Sequence, residues 1–580
     1  MTHARGRWTA IAGLFRHVTR QHIVLFVLAV AVYAPTAPWG TPYATAGNRT
    51  EAWGVDDEPP TGPLAQLHDI VTPKHSQNPN LGYPMLHPFM VLATFAPYVT
   101  WLKATGGLGT PTEAYPHGFR DPVKALATLS LIAHFLSVLL AAGIVVAAYE
   151  TGRTLWDEPS GLWGAAFAGL AYPMFYYSRT SNVDVPVLFY TALAGIPFAR
   201  ALMLGVTRRR ALWLGSLIGL ALATKEPAFA SFLGIPFVLL LLPGPGAATP
   251  PWRQRHCWTD AAWCAFAVFA GYAVGSGMLV DPGRWMAHIA FIRERSGDTM
   301  KGAVAFTTYY PMTWQGNVAL CTRLTQLLAN ALTGPGLVLG VIGLVMAVRR
   351  TPRAAWFAVT IVTYLAVLTL TARAAQLRYV MPPAFALALF AGYAVRQLLA
   401  TRIPALRIAG ASVAGATVLL ASLRGVDLTW AMMHDSRYDA GVWLREHAKP
   451  GDRLDYFGSD QKQPPLEAYV SSGFAVDYLG GNIKAPRDSA TVAKIIRGWN
   501  ERRPRFVALI PDYTSYPGEP FAATCPPEIY ARLEAGDIGY RRVAYFESPA
   551  LLPWVRRPPL DYPTVNPPIR IYERIPTDSD

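Results

Sequence analysis

The residues that could do chemistry are few charged groups set in an apolar chain. "WGVDDEPPTGP" holds three consecutive acids, Asp56, Asp57 and Glu58, between Trp53 and the rigid prolines Pro59, Pro60 and Pro63. A carboxylate held there by partial burial gains basicity, which suits removal of a proton from a hydroxyl nucleophile; the plainer reading is a solvated loop. Asp184, in "SRTSNVDVPVLF", stands where an apolar run begins. It either caps a helix, a task Ser181 and Asn182 could also fill, or lines a polar cavity. Lys225 and Glu226 interrupt two apolar segments, and Arg378-Tyr379 opens another in "QLRYVMPPAFAL", with Arg373 nearby. These cations could neutralise a phosphate, or form internal ion pairs and snorkel. His87-Pro88 in "GYPMLHPFMVL" begins a segment, 85–102, expected to lie along the membrane interface. His68, Asp69 and His75 match neither a helical ligand pair nor a zinc spacing, so no metal site is expected.

The elements that position these residues follow from composition. Of 580 residues only 15% are charged and 52% are hydrophobic, where soluble chains run about 25% charged. The 49 prolines and 48 glycines argue against a coiled or repeat array, and four cysteines without CxxC spacing exclude a zinc ribbon, a c-type haem and a disulfide scaffold. The fold class is a polytopic α-helical membrane protein. Apolar runs near 22–38, 123–149, 159–177, 183–203, 211–223, 226–243, 259–280, 332–348, 354–372, 379–396 and 406–423 predict about eleven transmembrane helices. The two shortest flank Thr224-Lys225-Glu226-Pro227 and could form a broken hairpin.

Net charge is +14, 51 basic residues against 37 acidic. The basic residues lie in short clusters between apolar runs, with no basic and aromatic alternation on a polar module, so no nucleic acid is expected as a partner. Arg5, Arg7, Arg16, Arg20, Arg208 to Arg210, Arg253, Arg255, Arg349, Arg350, Arg353, Arg396, Arg402 and Arg407 fall in alternate loops. The positive-inside rule then places the N-terminus in the cytoplasm and the loops 39–122 and 281–331 and the tail outside the cytoplasmic membrane. The first run could instead be a signal peptide cleaved near Ala44-Thr45-Ala46. Two domains are expected: a transmembrane domain over 1–424 and an extracytoplasmic α/β domain over 425–580. In the latter, 453–458, 505–511, 541–548 and 569–575 read as strands and 436–447, 487–502 and 526–535 as helices, with neither GxGxxG nor a nucleophile elbow. Cys321 and Cys525 both fall outside, where a disulfide between them is chemically allowed.

Taken together, Asp57-Glu58, "YPMLHPF", "SNVDVPVLF", "GLALATKEPAF" and "LRYVMPPAFALAL", in that order over most of residues 20–425, resemble the GT-C superfamily of membrane glycosyltransferases. The sequence is most similar to glycosyltransferase family 39, which includes protein O-mannosyltransferases, and to the lipid A aminoarabinose transferases. The resemblance implies a GT-C-like fold and an inverting transfer from a polyprenyl-phosphate-linked sugar to a hydroxyl of a protein, glycolipid or cell-wall glycan. It also implies Asp57 as general base, with Asp56 as its rival in a triplet where two acids are usual. Asp184 would orient the acceptor, and Lys225 with Arg378, beside Tyr379 and His87, would hold the lipid phosphate. The donor arrives with its leaving group activated, so no cofactor is required. Two other classes remain open from the sequence: a flippase for a lipid-linked saccharide, and a noncatalytic membrane assembly protein.

Overall fold

The computed structural model describes residues 19–41, 52–54, 56–71, 82–243, 245, 249, 251–300, 309–457, 463–465, 475–478, 488–509, 525–558 and 565–576. His75, the Ala44-Thr45-Ala46 site and Arg5, Arg7 and Arg16 lie outside these residues.

The chain is a polytopic helical membrane protein. Among the described residues six helices are long and apolar enough to cross a membrane: Pro122–Leu155, Asp184–Leu204, Cys257–Gly275, Pro352–Ala372, Leu377–Leu399 and Pro404–His447. The pair Trp314–Leu332 and Gly334–Arg350, bent by 103°, is long and apolar enough only when its two arms are taken together, and counted as one span it makes a seventh. The expectation of about eleven is corrected by breaks that an apolar run does not reveal. Run 159–177 divides into Glu158–Gly169 and Tyr172–Tyr177 around Pro173, since proline cannot donate to the preceding turn. Run 226–243 is a succession of short pieces, Glu226–Ala228, Phe229–Phe232 and Ile235–Leu241. The expected outer loop 281–331 holds the helices Pro282–Met300 and Trp314–Leu332, the second being one arm of the bent pair. Thr333 and Pro335 make that bend: Thr333 has φ 67°, and its hydroxyl accepts from Gly336 N at 3.2 Å to start the next helix.

Segment 85–102 becomes the helix Leu86–Ala104, which buries His87, Pro88, Val91, Phe95 and Leu102 along one face. The first run is the shorter apolar helix Arg20–Tyr33.

The tail forms a five-stranded mixed sheet ordered β2-β1-β3-β5-β4, with β1 Arg453–Phe457, β2 Ala475–Tyr478, β3 Phe506–Leu509, β4 Tyr540–Phe546 and β5 Ile569–Arg574. Four of these strands were expected and β2 was not. Alternate residues sort to two faces. Leu454, Tyr456, Phe506, Ala508, Ile569 and Ile571 pack with helix Ser436–His447, while Phe457, Val507, Leu509 and Tyr572 pack with helices Ser489–Arg502 and Pro527–Ala535. Asp488 caps the first of those two, accepting from Thr491 N at 2.9 Å. Helix Pro404–Met433 runs unbroken past residue 424, so the expected domain boundary falls within it. No disulfide joins Cys321 to Cys525: Cys321 is exposed on helix Trp314–Leu332, whereas Cys525 is buried in the sheet core.

Candidate active site

The sequence-predicted site residues converge at one end of the bundle. Its centre is the loop 178–183 between helices Tyr172–Tyr177 and Asp184–Leu204, buried throughout. Arg179 anchors this loop: its guanidinium donates to the carbonyls of Val32 at 3.0 Å and Tyr33 at 3.2 Å, at the end of helix Arg20–Tyr33, where unpaired carbonyls carry partial negative charge. Ser181 then gathers the acidic loop. Its backbone N–H and its hydroxyl both donate to Asp57 Oδ1, the hydroxyl at 2.8 Å, and that hydroxyl oxygen accepts from Glu58 N at 2.9 Å. The Ser181 carbonyl accepts from His87 Nε2 at 2.6 Å. Burial pushes the His87 imidazole down to about 4, against the smaller opposing effects of the Ser181 carbonyl and Asp57, so at neutral pH it is an uncharged spacer between two loops.

The three acids face different ways. Asp57 turns inward, its side chain 1% exposed, with Oδ2 lying 3.3 Å from Nε2 of His134. His134 stands inside helix Pro122–Leu155 and is itself fully buried. Its Nδ1 donates to the Ala37 carbonyl at 2.7 Å, a group that can only accept, so Nε2 and Asp57 face each other favourably only with a proton held between them. Gly54 closes over the same carboxylate; a Cβ there would collide with Asp57 Oδ2. Asp56, by contrast, has φ 49° and a side chain 43% exposed, and it pairs with Arg378. Glu58 is buried beside Ser181.

The cations complete a chain of four charges. Lys225, where helix Arg208–Thr224 stops, lies 2.6 Å from Asp184 Oδ1, and Arg378 Nη1 lies 3.8 Å from Asp184 Oδ2. Asp184 begins its helix, its own N–H donating to Asn182 Oδ1 at 2.7 Å. Val183 stands at the N-cap without a side-chain cap and Asn182 meets only the first N–H of the helix, so the Asp184 carboxylate is left to the cations. The Arg378 Nε donates to Gln376 Oε1 at 2.9 Å. Tyr379 lies under both cations, 5.9 Å from Lys225 Nζ and 5.6 Å from the Arg378 guanidinium carbon, and Tyr83 lies 5.5 Å from Lys225. The four-charge chain Lys225, Asp184, Arg378, Asp56 sums to zero, with both cations largely buried at 12% and 8% exposure.

Arg373 does not join this cluster. Its guanidinium donates to the carbonyls of Tyr310 at 2.8 Å and Thr369 at 2.7 Å, to Pro311 O, and to Asn317 Oδ1 at 2.6 Å. It fastens one loop to another, and that accounts for its position. His68 and Asp69 stand 4.0 Å apart. The opposite end of the bundle carries the basic clusters: Glu150 held by Arg153 at 2.6 Å and Arg200 at 2.7 Å, and Asp157 by Arg396 at 3.0 Å.

The tail reaches the acidic loop directly. Arg437, fully buried, pairs with Asp435 at 2.7 Å and stacks on Trp53 with 3.8 Å between guanidinium carbon and ring centre. Trp39 Nε1 donates to Asp435 at 3.1 Å, and Trp53 Nε1 to the Gln463 carbonyl at 3.0 Å.

Known structures resemble the chain at low identity. The oligosaccharyltransferase of Archaeoglobus fulgidus, solved with Zn and sulfate, shares 11% identity over 95% of this chain and 88% of its own, at a TM-score of 0.47. ArnT from Cupriavidus metallidurans, solved with undecaprenyl phosphate, shares 12% over 96% and 98%, at 0.44. The mycobacterial arabinofuranosyltransferase AftD shares 13% over 97% of this chain and 42% of its own, at 0.39. At these scores no residue correspondence follows. No curated protein matches the chain in sequence. Residues 128–274, which hold His134, Arg179, Ser181, Asp184 and Lys225, match the family described as dolichyl-phosphate-mannose-protein mannosyltransferase, in keeping with the resemblance of the sequence.

Proposed function

We propose that this chain is an inverting membrane glycosyltransferase that moves a sugar from a polyprenyl-phosphate carrier to a hydroxyl acceptor on the non-cytoplasmic side. The observation that carries the reading is the chain of four charges: two buried cations, Lys225 and Arg378, sharing Asp184, with the exposed carboxylate of Asp56 on Arg378. Two such cations neutralise a lipid phosphate and stabilise it as it departs, without a metal. The basic clusters at the opposite end support a cytoplasmic position for that end.

In this mechanism the donor phosphate takes over Arg378 and Lys225. Asp56, released from the guanidinium, accepts the proton of the acceptor hydroxyl as its oxygen bonds to the anomeric carbon. The bond from that carbon to the phosphate oxygen breaks, and the lipid phosphate leaves with the bond's electron pair. Asp184 keeps the cations in place between turnovers. Asp57, the base implied by the resemblance, has its carboxylate occupied by Ser181 and His134, so the base role passes to Asp56 and Asp57 shapes the loop. Tyr379 and His87 support the phosphate site and the loop beside it. The acceptor class, protein, glycolipid or glycan, is set by the outer helices and the tail.

The test is transfer from a polyprenyl-phosphate sugar by Asp56→Asn and Asp57→Asn. Asp56→Asn is expected to lose about 10²–10⁴-fold in rate while still binding polyprenyl phosphate. Full activity in that variant, with loss only in a well-folded Asp57→Asn, returns the base role to Asp57. Full activity in both removes the mechanism.

A further inference from the structure

The segment Leu551–Pro558, in the sequence "LLPWVRRP", ends none of the strands and contributes nothing to the site, yet it is fixed firmly to the bundle. Asp427, fully buried on helix Pro404–Met433, accepts from Leu552 N at 3.0 Å and pairs with Arg557 Nε at 2.8 Å. The height of that attachment can be read from the helix. Between Arg407 and Arg424 residues 408–423 carry no charge, a stretch of about 26 Å from one arginine to the other at 1.5 Å per residue, close to a hydrocarbon thickness. Asp427 is one turn beyond Arg424, at the level of lipid headgroups.

The segment presents an apolar tip at that level. Trp554 is 72% exposed and Leu551 41%, while Val555 is buried beneath them. The helix beside it stays apolar and exposed past Arg424: Leu419, Val426 and Met433 repeat every seven residues along one face at 60%, 48% and 54%. Arg556, exposed, lies two residues after the tryptophan. An indole at the boundary with an exposed arginine two residues away fits headgroup depth, where the ring takes the apolar side and the guanidinium meets lipid phosphates.

We propose that Leu551–Pro558 is a lipid-interface anchor through which the C-terminal domain rests on the bilayer, with Trp554 and Leu551 inserted and Arg556 on the phosphates of anionic lipid. The inference stands on the span and the loop alone and is independent of the reaction assigned to the site. Its consequence is that the domain is tethered to the membrane at a point separate from the Arg437 and Trp53 contact.

The test uses full-length protein in nanodiscs containing phosphatidylglycerol. Trp554→Cys and Leu551→Cys, each in a chain with the four native cysteines replaced by alanine, are nitroxide-labelled and read by power saturation against oxygen and a water-soluble nickel chelate. Arg541→Cys, on the exposed side of β4, is the aqueous control. Nickel collision severalfold below the control, with oxygen collision above it, is expected at both positions. Nickel access equal to the control overturns the proposal, as does loss of both collisions together, which marks a surface covered by protein. Quenching of native fluorescence by brominated lipid, compared between the unaltered chain and Trp554→Phe, repeats the measurement with every cysteine kept; equal quenching in the two overturns it as well.

Discussion

Lys225 and Asp184, 41 residues apart in the chain, meet at 2.6 Å where one helix stops and another starts. Both residues interrupt apolar stretches, and each supplies the counter-charge that makes burial of the other tolerable. The same carboxylate faces Arg378, so the two cations are coupled through a shared partner.

That coupling is measurable. Lys225→Ala and Arg378→Ala are each expected to weaken binding of polyprenyl phosphate and to lower transfer by about 10²–10³-fold. The double variant should lose less than the product of the two, because residues sharing one partner are not independent. Titration of labelled polyprenyl phosphate gives the affinities, and unchanged affinity in both single variants removes the phosphate role.

A second expectation concerns the inner acid. Gly54→Ala adds a single methyl group against Asp57 Oδ2 and alters no charge. Transfer should fall strongly while the spans stay folded, since the loop carrying Asp56 must shift. His134→Ala instead removes the group facing Asp57 and should cost about 1–3 kcal/mol of stability, read by thermal unfolding in detergent. Neutral behaviour of Gly54→Ala in the transfer assay shows that the loop's position does not matter to the reaction.

His87 provides a dependence on pH. Its imidazole ionises near 6.5 when unfolded and is pushed down to about 4 by burial. A depressed value means the folded state resists the proton, so the stability His87 contributes is full above about pH 6.5 and is lost as pH falls toward 4. Across that window the loss amounts to about 3 kcal/mol at most. Unfolding of the parent chain and of His87→Gln should differ by a constant amount above pH 6.5 and draw together as pH falls toward 4; a separation that stays unchanged down to pH 4 refutes the assignment.

Arg437→Met addresses the contact between tail and acidic loop. It leaves Asp435 buried without its guanidinium and should destabilise by about 3–5 kcal/mol. If the tail supports the catalytic loop, transfer falls at temperatures where the spans remain intact, measured beside far-ultraviolet circular dichroism.

Much of this architecture was legible in the residues. Asp184, Lys225 and Arg378 stood out because a charge at the edge of an apolar run is costly and needs a partner, and the structure makes them partners of one another. His134 was missed. It sits in the run 123–149, read as an uninterrupted span, where a lone ionisable residue was itself the signal. Arg373 was expected to meet an anion and binds carbonyls, a distinction invisible in sequence because both acceptors call for the same side chain. Breaks such as the one before Pro173 escaped because hydropathy averages over a window and a kink is local. Strand β2 escaped because four residues, Ala475–Tyr478, carry too short an alternation to register.

The stacking of Arg437 on Trp53 bears on how such a chain could be rebuilt. A transplant that exchanges everything after residue 424 for another tail would cut helix Pro404–Met433 in mid-course and discard the guanidinium on which the tryptophan rests. A workable chimera needs its seam beyond Tyr438, whose hydroxyl accepts from Gly40 N at 3.1 Å. The first outer loop and the stretch that runs through Tyr438 must therefore be inherited as a matched set.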